Sequence, residues 1–275
     1  MRHQYLVVDQ NFLRTAALRN VLVERPNVQL VLPDLAMLEM TKPDERELTV
    51  ALSLETIARY PGRLFVSRAM SECLKYELTT GRSVAGHLLF RPATAFLRTV
   101  LLAVESGIPN DQYRRVIDDP ENHLSALKRA YLNHTENKSR SLELLAETKR
   151  QMSIEFAKRV RASRATREEW IDFVRTKALS LLAGVLQDNG FSLERAMAFI
   201  RTRPMLVRYF YLKVWTCLVW EEQGRLEGLG AKKVSNDLLD HEYVLAATFF
   251  DGVPSDEPKV NDAYGAVTLL LETRV

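Results

Sequence analysis

Apolar and polar positions follow two different regimes along the chain. Near the N-terminus, Tyr5-Leu6-Val7-Val8 is a short, wholly apolar run, the pattern of a strand covered on both faces. Residues 12–24 then set Phe12, Ala16, Leu18, Val21 and Leu22 at helical spacing. Val28 to Leu32 reads as a second strand after the Arg25-Pro26-Asn27 turn. Pro33 suits a first helical position, and the spacing predicts a helix over 34–41. A further helix fits 45–59, Pro61-Gly62 ends it, and Leu64-Phe65-Val66 reads as a third strand. Strands and helices alternating at this spacing predict a parallel sheet in an α/β domain.

From about 69 to 223 no strand pattern stands out. Helical spacing dominates, punctuated by Gly81, Pro92, Gly107-Ile108-Pro109, Asp119-Pro120, Asp188-Asn189-Gly190 and Pro204. Segment 121–165 reads as one long charged helix or two. Segment 204–222 is apolar around most of its circumference, which predicts an enclosed helix. The stretch 224–235, with three glycines and Lys232-Lys233, reads as a loop. Helical spacing returns from Asp237 to Phe250, a short apolar piece follows at Gly252-Val253-Pro254, and a last helix fits 260–272. The expected architecture is an α/β core built from 1–90 and 235–275, with an all-helical insertion over 91–234.

Composition narrows this without redirecting it. The 275 residues are 47% hydrophobic and 27% charged, the balance of a globular protein with a sizeable core. A net charge of +3 assigns no partner, so only local clustering of charge bears on nucleic acid. The two cysteines, Cys73 and Cys217, lie far apart and make no zinc or disulfide pattern, which suits a reducing cytoplasm. No signal-peptide pattern opens the chain. The most apolar stretch, Met205 to Trp220, is interrupted by Arg208 and Lys213 and is too short for a bilayer, so no membrane association is expected.

Candidate chemistry resides in the acids. Asp9 directly follows the first apolar run, and ligands of open α/β sheets bind beyond the carboxyl ends of strands. Taken alone, Asp9 reads first as an N-cap for the next helix. Glu39 is the sole acid among Leu35-Ala36-Met37-Leu38 and Met40; taken alone, it reads as a solvent-facing helical glutamate. Asp237 and Asp240, three apart, share a helix face and repel unless a cation or capping amides compensate. Ser235, Asn236 and Asp237 are all good cap residues. Asp256 and Glu257 follow the short Val253 piece, with Asp251 before it; a solvated acidic loop would look the same. Acids drawn from such distant positions to one sheet favour hard divalent cations.

These residues carry a family resemblance. Tyr5 to Leu13, with Asp9 and Asn11 after the apolar run, resembles the opening of a PIN-domain nuclease. Val31-Leu32-Pro33 through Glu39 resembles that family's second motif, a strand, a proline and a helical Glu. Asp237 to Tyr243 with Ala246-Ala247 resembles the third, an Asp at a helix start. Gly252-Val253-Pro254-Ser255-Asp256-Glu257 resembles the last, a short strand, then Ser or Thr, then an acid. The order and approximate spacing agree over about 1–70 and 235–275. The resemblance implies a PIN-like Rossmannoid sheet between helices and a metal-dependent nuclease acting on RNA. It implies Asp9, Glu39 and Asp240 as Mg²⁺ or Mn²⁺ ligands, with Asp237 as neighbour or substitute. Ser255 and Asn11 would support the site. The acid two places after Ser255 is Glu257 where the family has Asp, with Asp256 beside it, and which of the two serves stays open. A non-catalytic PIN-like scaffold for nucleic acid or protein is the alternative.

A nuclease also needs cations for the substrate's phosphates. Segment 149–167 offers Lys149, Arg150, Lys158, Arg159, Arg161, Arg164 and Arg167 against one acid, Glu155; a solvated helix face is the competing reading. Lys232, Lys233 and Arg14 are further candidates. Tyr209, Phe210, Tyr211, Trp215 and Trp220 read as core rather than base-stacking surface. The histidines show no ligand spacing, and His241 reads as a surface residue beside Asp240. Gly228-Leu229-Gly230 lacks the strand and glycine pattern of a phosphate loop. A protein partner or a homodimer through the helical insertion is a further expectation, and exposure of the 204–220 apolar face would point to the dimer.

Overall fold

The computed structural model describes residues 2–41, 45–118, 133–224, 228 and 230–272. Three strands, β1 (Gln4–Val7), β2 (Val28–Leu32) and β3 (Leu64–Val66), form a parallel sheet in that order. Leu6 lies opposite Leu30, Val7 opposite Val31 and Leu32 opposite Val66. Every residue of β2 is buried, as the middle strand of a covered sheet demands. Beside β1 the chain at 251–252 docks through two backbone bonds without forming a strand, so the short strand expected around Val253 is corrected. Asp251 N–H donates to the Tyr5 carbonyl at 2.8 Å, and Val7 N–H donates to the Gly252 carbonyl at 2.9 Å. Gly252 has φ 139°, a backbone conformation that disfavours any side chain.

In this unit the sheet is joined by α1 (Gln10–Leu13), α2 (Ala16–Glu24), α3 (Asp34–Met40), α4 (Arg46–Ala58), α6 (Arg91–Ser106) and α7 (Asp111–Asp118). The predicted helix 12–24 is two, because Arg14 closes α1 and Thr15 Oγ1 accepts from Leu18 N–H to open α2. Val8, Leu13, Leu18, Leu35, Leu54 and Ile57 are fully buried in the core of this unit. Arg63 donates to the carbonyls of Leu22, Arg25 and Val28, tying the end of α2 to the start of β2. Thr94 Oγ1 of α6 accepts from Val66 N–H at 3.0 Å.

A second unit is helical. It holds α5 (Met70–Thr80), α8 (His134–Arg150), α9 (Ile154–Arg161), α10 (Arg167–Asp188), α11 (Leu193–Arg201), α12 (Met205–Glu222), most of α13 (Ala231–Ala247) and α14 (Pro258–Glu272). Helix α12 is its axis. None of its residues is exposed, and Trp215 packs edge-on against Trp170 of α10 at 5.0 Å. Pro204 caps α12 without a side-chain hydrogen bond. The buried Glu77 of α5 supplies what Pro204 cannot, accepting from Met205 N–H at 3.0 Å and Leu206 N–H at 2.8 Å. The axis has no exposed apolar face, so the condition set for a dimer through 204–220 is not met.

The two units group the described residues within 2–70, 87–118 and 242–258, and within 71–86, 133–241 and 259–272. These groups differ from the expected division at 1–90, 91–234 and 235–275. Helices α6 and α7 go with the sheet, because α6 presents Leu97, Val100 and Leu101 to its core. Helix α14 goes with the helices. The predicted loop 224–235 is corrected at its end, since α13 starts at Ala231. Of segment 121–165, residues 121–132 lie outside the described residues, and the remainder forms α8 and α9. Among the described residues no helix is long and apolar enough to cross a membrane.

Candidate functional site

Asp9 leaves the carboxyl end of β1 and turns into α1. Its backbone is extended, and its Oδ1 accepts from Phe12 N–H at 2.6 Å, so the capping role is real. The carboxylate is nevertheless half-buried, and burial raises its pKa above the ordinary aspartate value. The Phe12 N–H pulls back, and the neighbouring charges of Glu257 and Asp256 raise it again. A cap alone does not call for two further acids. Ser255 Oγ accepts from Glu257 N–H at 3.2 Å, fixing the turn that carries both. Asp251 serves the sheet instead, accepting from Tyr5 N–H at 2.7 Å.

Glu39 sits half-buried on α3, where the Tyr243 hydroxyl donates to its Oε2 at 2.6 Å. The reading of Glu39 as a solvent-facing residue is therefore replaced by one of an acid held by a buried phenol. Tyr243 had no assigned role in the sequence; its one signal is its place three residues after Asp240 in the same motif. Asn11 is exposed on α1. Arg14 donates to Ser53 Oγ at 2.9 Å and to the Thr49 carbonyl at 3.2 Å, so its guanidinium is tied to α4.

In the helical unit Asp237 and Asp240 lie inside α13 rather than at its start. Capping amides are therefore not what compensates them, and the expected motif of an Asp at a helix start is corrected. A cation does that work. Lys259 Nζ lies 3.1 Å from Asp237 Oδ1 and 2.5 Å from Asp240 Oδ2. The Trp220 indole N–H donates to the other Asp237 oxygen at 3.1 Å. Burial pulls the Lys259 pKa down, but the Asp240 and Asp237 contacts outweigh it and hold the ammonium above the ordinary lysine value. Sequence reading missed Lys259. Its signal is a cation in the first turn of α14, where the helix dipole disfavours one.

The basic candidates are mostly engaged nearby. Lys149 and Arg161 both pair with Glu221, at 2.7 and 2.6 Å. Arg159 pairs with Glu169, Arg150 with Glu147, and Arg167 with Asp262. Lys158, Arg164, Lys232 and Lys233 are exposed. Tyr211, Trp215 and Trp220 are core, as read, while Tyr209 and Phe210 are half-buried and meet edge to face at 5.6 Å. His241 is corrected from surface to buried. Thr216 Oγ1 donates to the Leu212 carbonyl, so at 2.8 Å it accepts from His241 Nε2–H. Burial first, then the charges of Lys213 and Lys259, lower the imidazole pKa well below the ordinary value.

The acids whose charges act on Asp9, Glu257 and Asp256, offer carboxylate oxygens, the chemistry of a hard divalent cation. Yet among the described residues no three His, Cys, Asp or Glu side chains gather closely enough to hold a metal ion. Asp237 and Asp240 already enclose an ammonium. Asp9, Asp256 and Glu257 are thus of the right chemical kind for such an ion but are not gathered closely enough to hold one here, and the Asp237–Asp240 pair already holds a cation. No protein-family model, curated protein or solved structure matches the chain.

Proposed function

We propose that the chain is a PIN-like nuclease that hydrolyses phosphodiester bonds, in RNA before DNA, with Mg²⁺ or Mn²⁺ bound beside Asp9. One observation carries the reading: Asp9, at the carboxyl end of a parallel strand, is held half-buried against the charges of Glu257 and Asp256. Folding like charges together costs free energy that a bound cation returns. A divalent ion held there would lower the pKa of a bound water and neutralise charge at phosphorus. The residues themselves orient. Phe12 N–H fixes the Asp9 carboxylate, Ser255 sets the turn that offers Asp256 and Glu257, and the Tyr243 hydroxyl fixes Glu39. The choice of RNA follows from the resemblance in motif order.

The test is Mn²⁺ titration of the full chain by calorimetry. Wild type is expected to bind, with Asp9→Asn and Glu257→Gln each weakening binding by about tenfold or more. Equal heats in wild type and both variants would sink the reading. A second reading, a non-catalytic PIN-like scaffold, is favoured by Lys259 on Asp237 and Asp240 and by the pairing of Arg159 and Arg161 with acids. It expects no Mn²⁺ binding at Asp9.

A further inference from the structure

We propose that Lys259 is a built-in cation that occupies the Asp237–Asp240 pair in place of a metal ion and keeps a divalent cation out of it. The geometry is specific. One ammonium reaches an oxygen of each carboxylate, at 3.1 Å on Asp237 and 2.5 Å on Asp240. The second Asp237 oxygen takes the Trp220 indole N–H at 3.1 Å. Asp237 and Asp240 keep 13% and 26% of their side-chain surface, so water replaces these donors poorly. The lysine's position is otherwise unfavourable, because a positive charge in the first turn of α14 opposes the helix dipole. The two acids it joins offset that cost.

The charge balance sets the consequence. Lys259 places a positive charge between two carboxylates that would otherwise repel each other. A divalent ion at the same oxygens would have to displace the ammonium, which shares their coordinating lone pairs. The role of the ammonium itself does not depend on the chain being a nuclease.

The experiment compares wild type, Lys259→Met, Lys259→Arg and the double variant Lys259→Met with Asp240→Asn, all as full-length chains. Free aqueous Mn²⁺ is followed by electron paramagnetic resonance, and thermal melting is recorded with and without Mn²⁺. Lys259→Met is expected to bind one more Mn²⁺ than wild type, or to bind it about tenfold tighter. The gain should vanish in the double variant, and Lys259→Arg should behave as wild type. Identical Mn²⁺ binding by wild type and Lys259→Met, including none by either, overturns the proposal. If Lys259→Met is unfolded without metal, refolding on Mn²⁺ addition supports it and failure to refold overturns it. RNA cleavage by wild type is a separate arm: its absence counts against the nuclease and leaves the Mn²⁺ difference to judge Lys259.

Discussion

A buried carboxylate is tolerated where its oxygens are filled, and Glu77 meets that condition with backbone donors from Val84, Met205 and Leu206. Glu77→Gln replaces one acceptor with a donor facing N–H groups. It should cost about 1–3 kcal/mol, read as a lower urea midpoint. Burial, only partly offset by the three N–H groups and Arg208, raises the Glu77 pKa above its ordinary 4.5. The folded state therefore binds this proton more readily than the unfolded chain does. Its contribution to stability is full below about 4.5 and is lost as pH rises through the folded value. The stability gap between wild type and Glu77→Gln should widen as pH falls from neutral toward that window; a constant gap would contradict the assignment. Cys217, its thiol pushed up to about 12 by burial, should resist a thiol reagent at mild alkaline pH until the protein unfolds. Labelling of the native chain on mixing would contradict this. None of these roles was legible in the sequence. The sequence shows only helical spacing around Glu77, and only the tertiary approach of a helix start without a side-chain cap gives it a task.

At the scale of elements, the sheet was readable and the ion pairs were not. Val28–Leu32 and Leu64–Val66 fold as the strands their apolar runs predict, because a covered strand needs no partner-specific information. The helix over 12–24 failed at Thr15, where a local cap competes with an unbroken apolar stripe. The basic segment 149–167 looked like a phosphate surface because sequence spacing hides partners on other helices. Glu221, on α12, has no exposed side-chain surface and takes both Lys149 and Arg161. Removing the acid frees two cations that are 28% and 51% exposed and can turn to water. Removing both cations strands a buried anion. Glu221→Gln should therefore cost about 1–2 kcal/mol and the Lys149→Ala, Arg161→Ala pair about 3 kcal/mol or more, measured by urea unfolding. The reverse order would show that the carboxylate is not the desolvated partner.

At the scale of the whole chain, the α/β class with a parallel sheet was legible from the alternation of apolar runs and helical spacing. The division into units was less so. Helix α6 carries the same amphipathic spacing whether it packs on a sheet or on other helices, and nothing in that spacing names its neighbour. The candidate site was half legible. The charges of Asp256 and Glu257 act on Asp9, whereas Lys259, which meets Asp240, lies outside every motif, and Tyr243, which meets Glu39, lies in the third motif with no role to be read there. The central claim, hydrolysis of nucleic acid at Asp9, is tested most directly with labelled single-stranded RNA and DNA. Wild type and Asp9→Asn are compared in Mg²⁺, Mn²⁺ and EDTA. The account predicts RNA cleavage by wild type that EDTA abolishes and that Asp9→Asn lowers by about a hundredfold or more. No cleavage by wild type in either metal, or cleavage that survives Asp9→Asn, would contradict it.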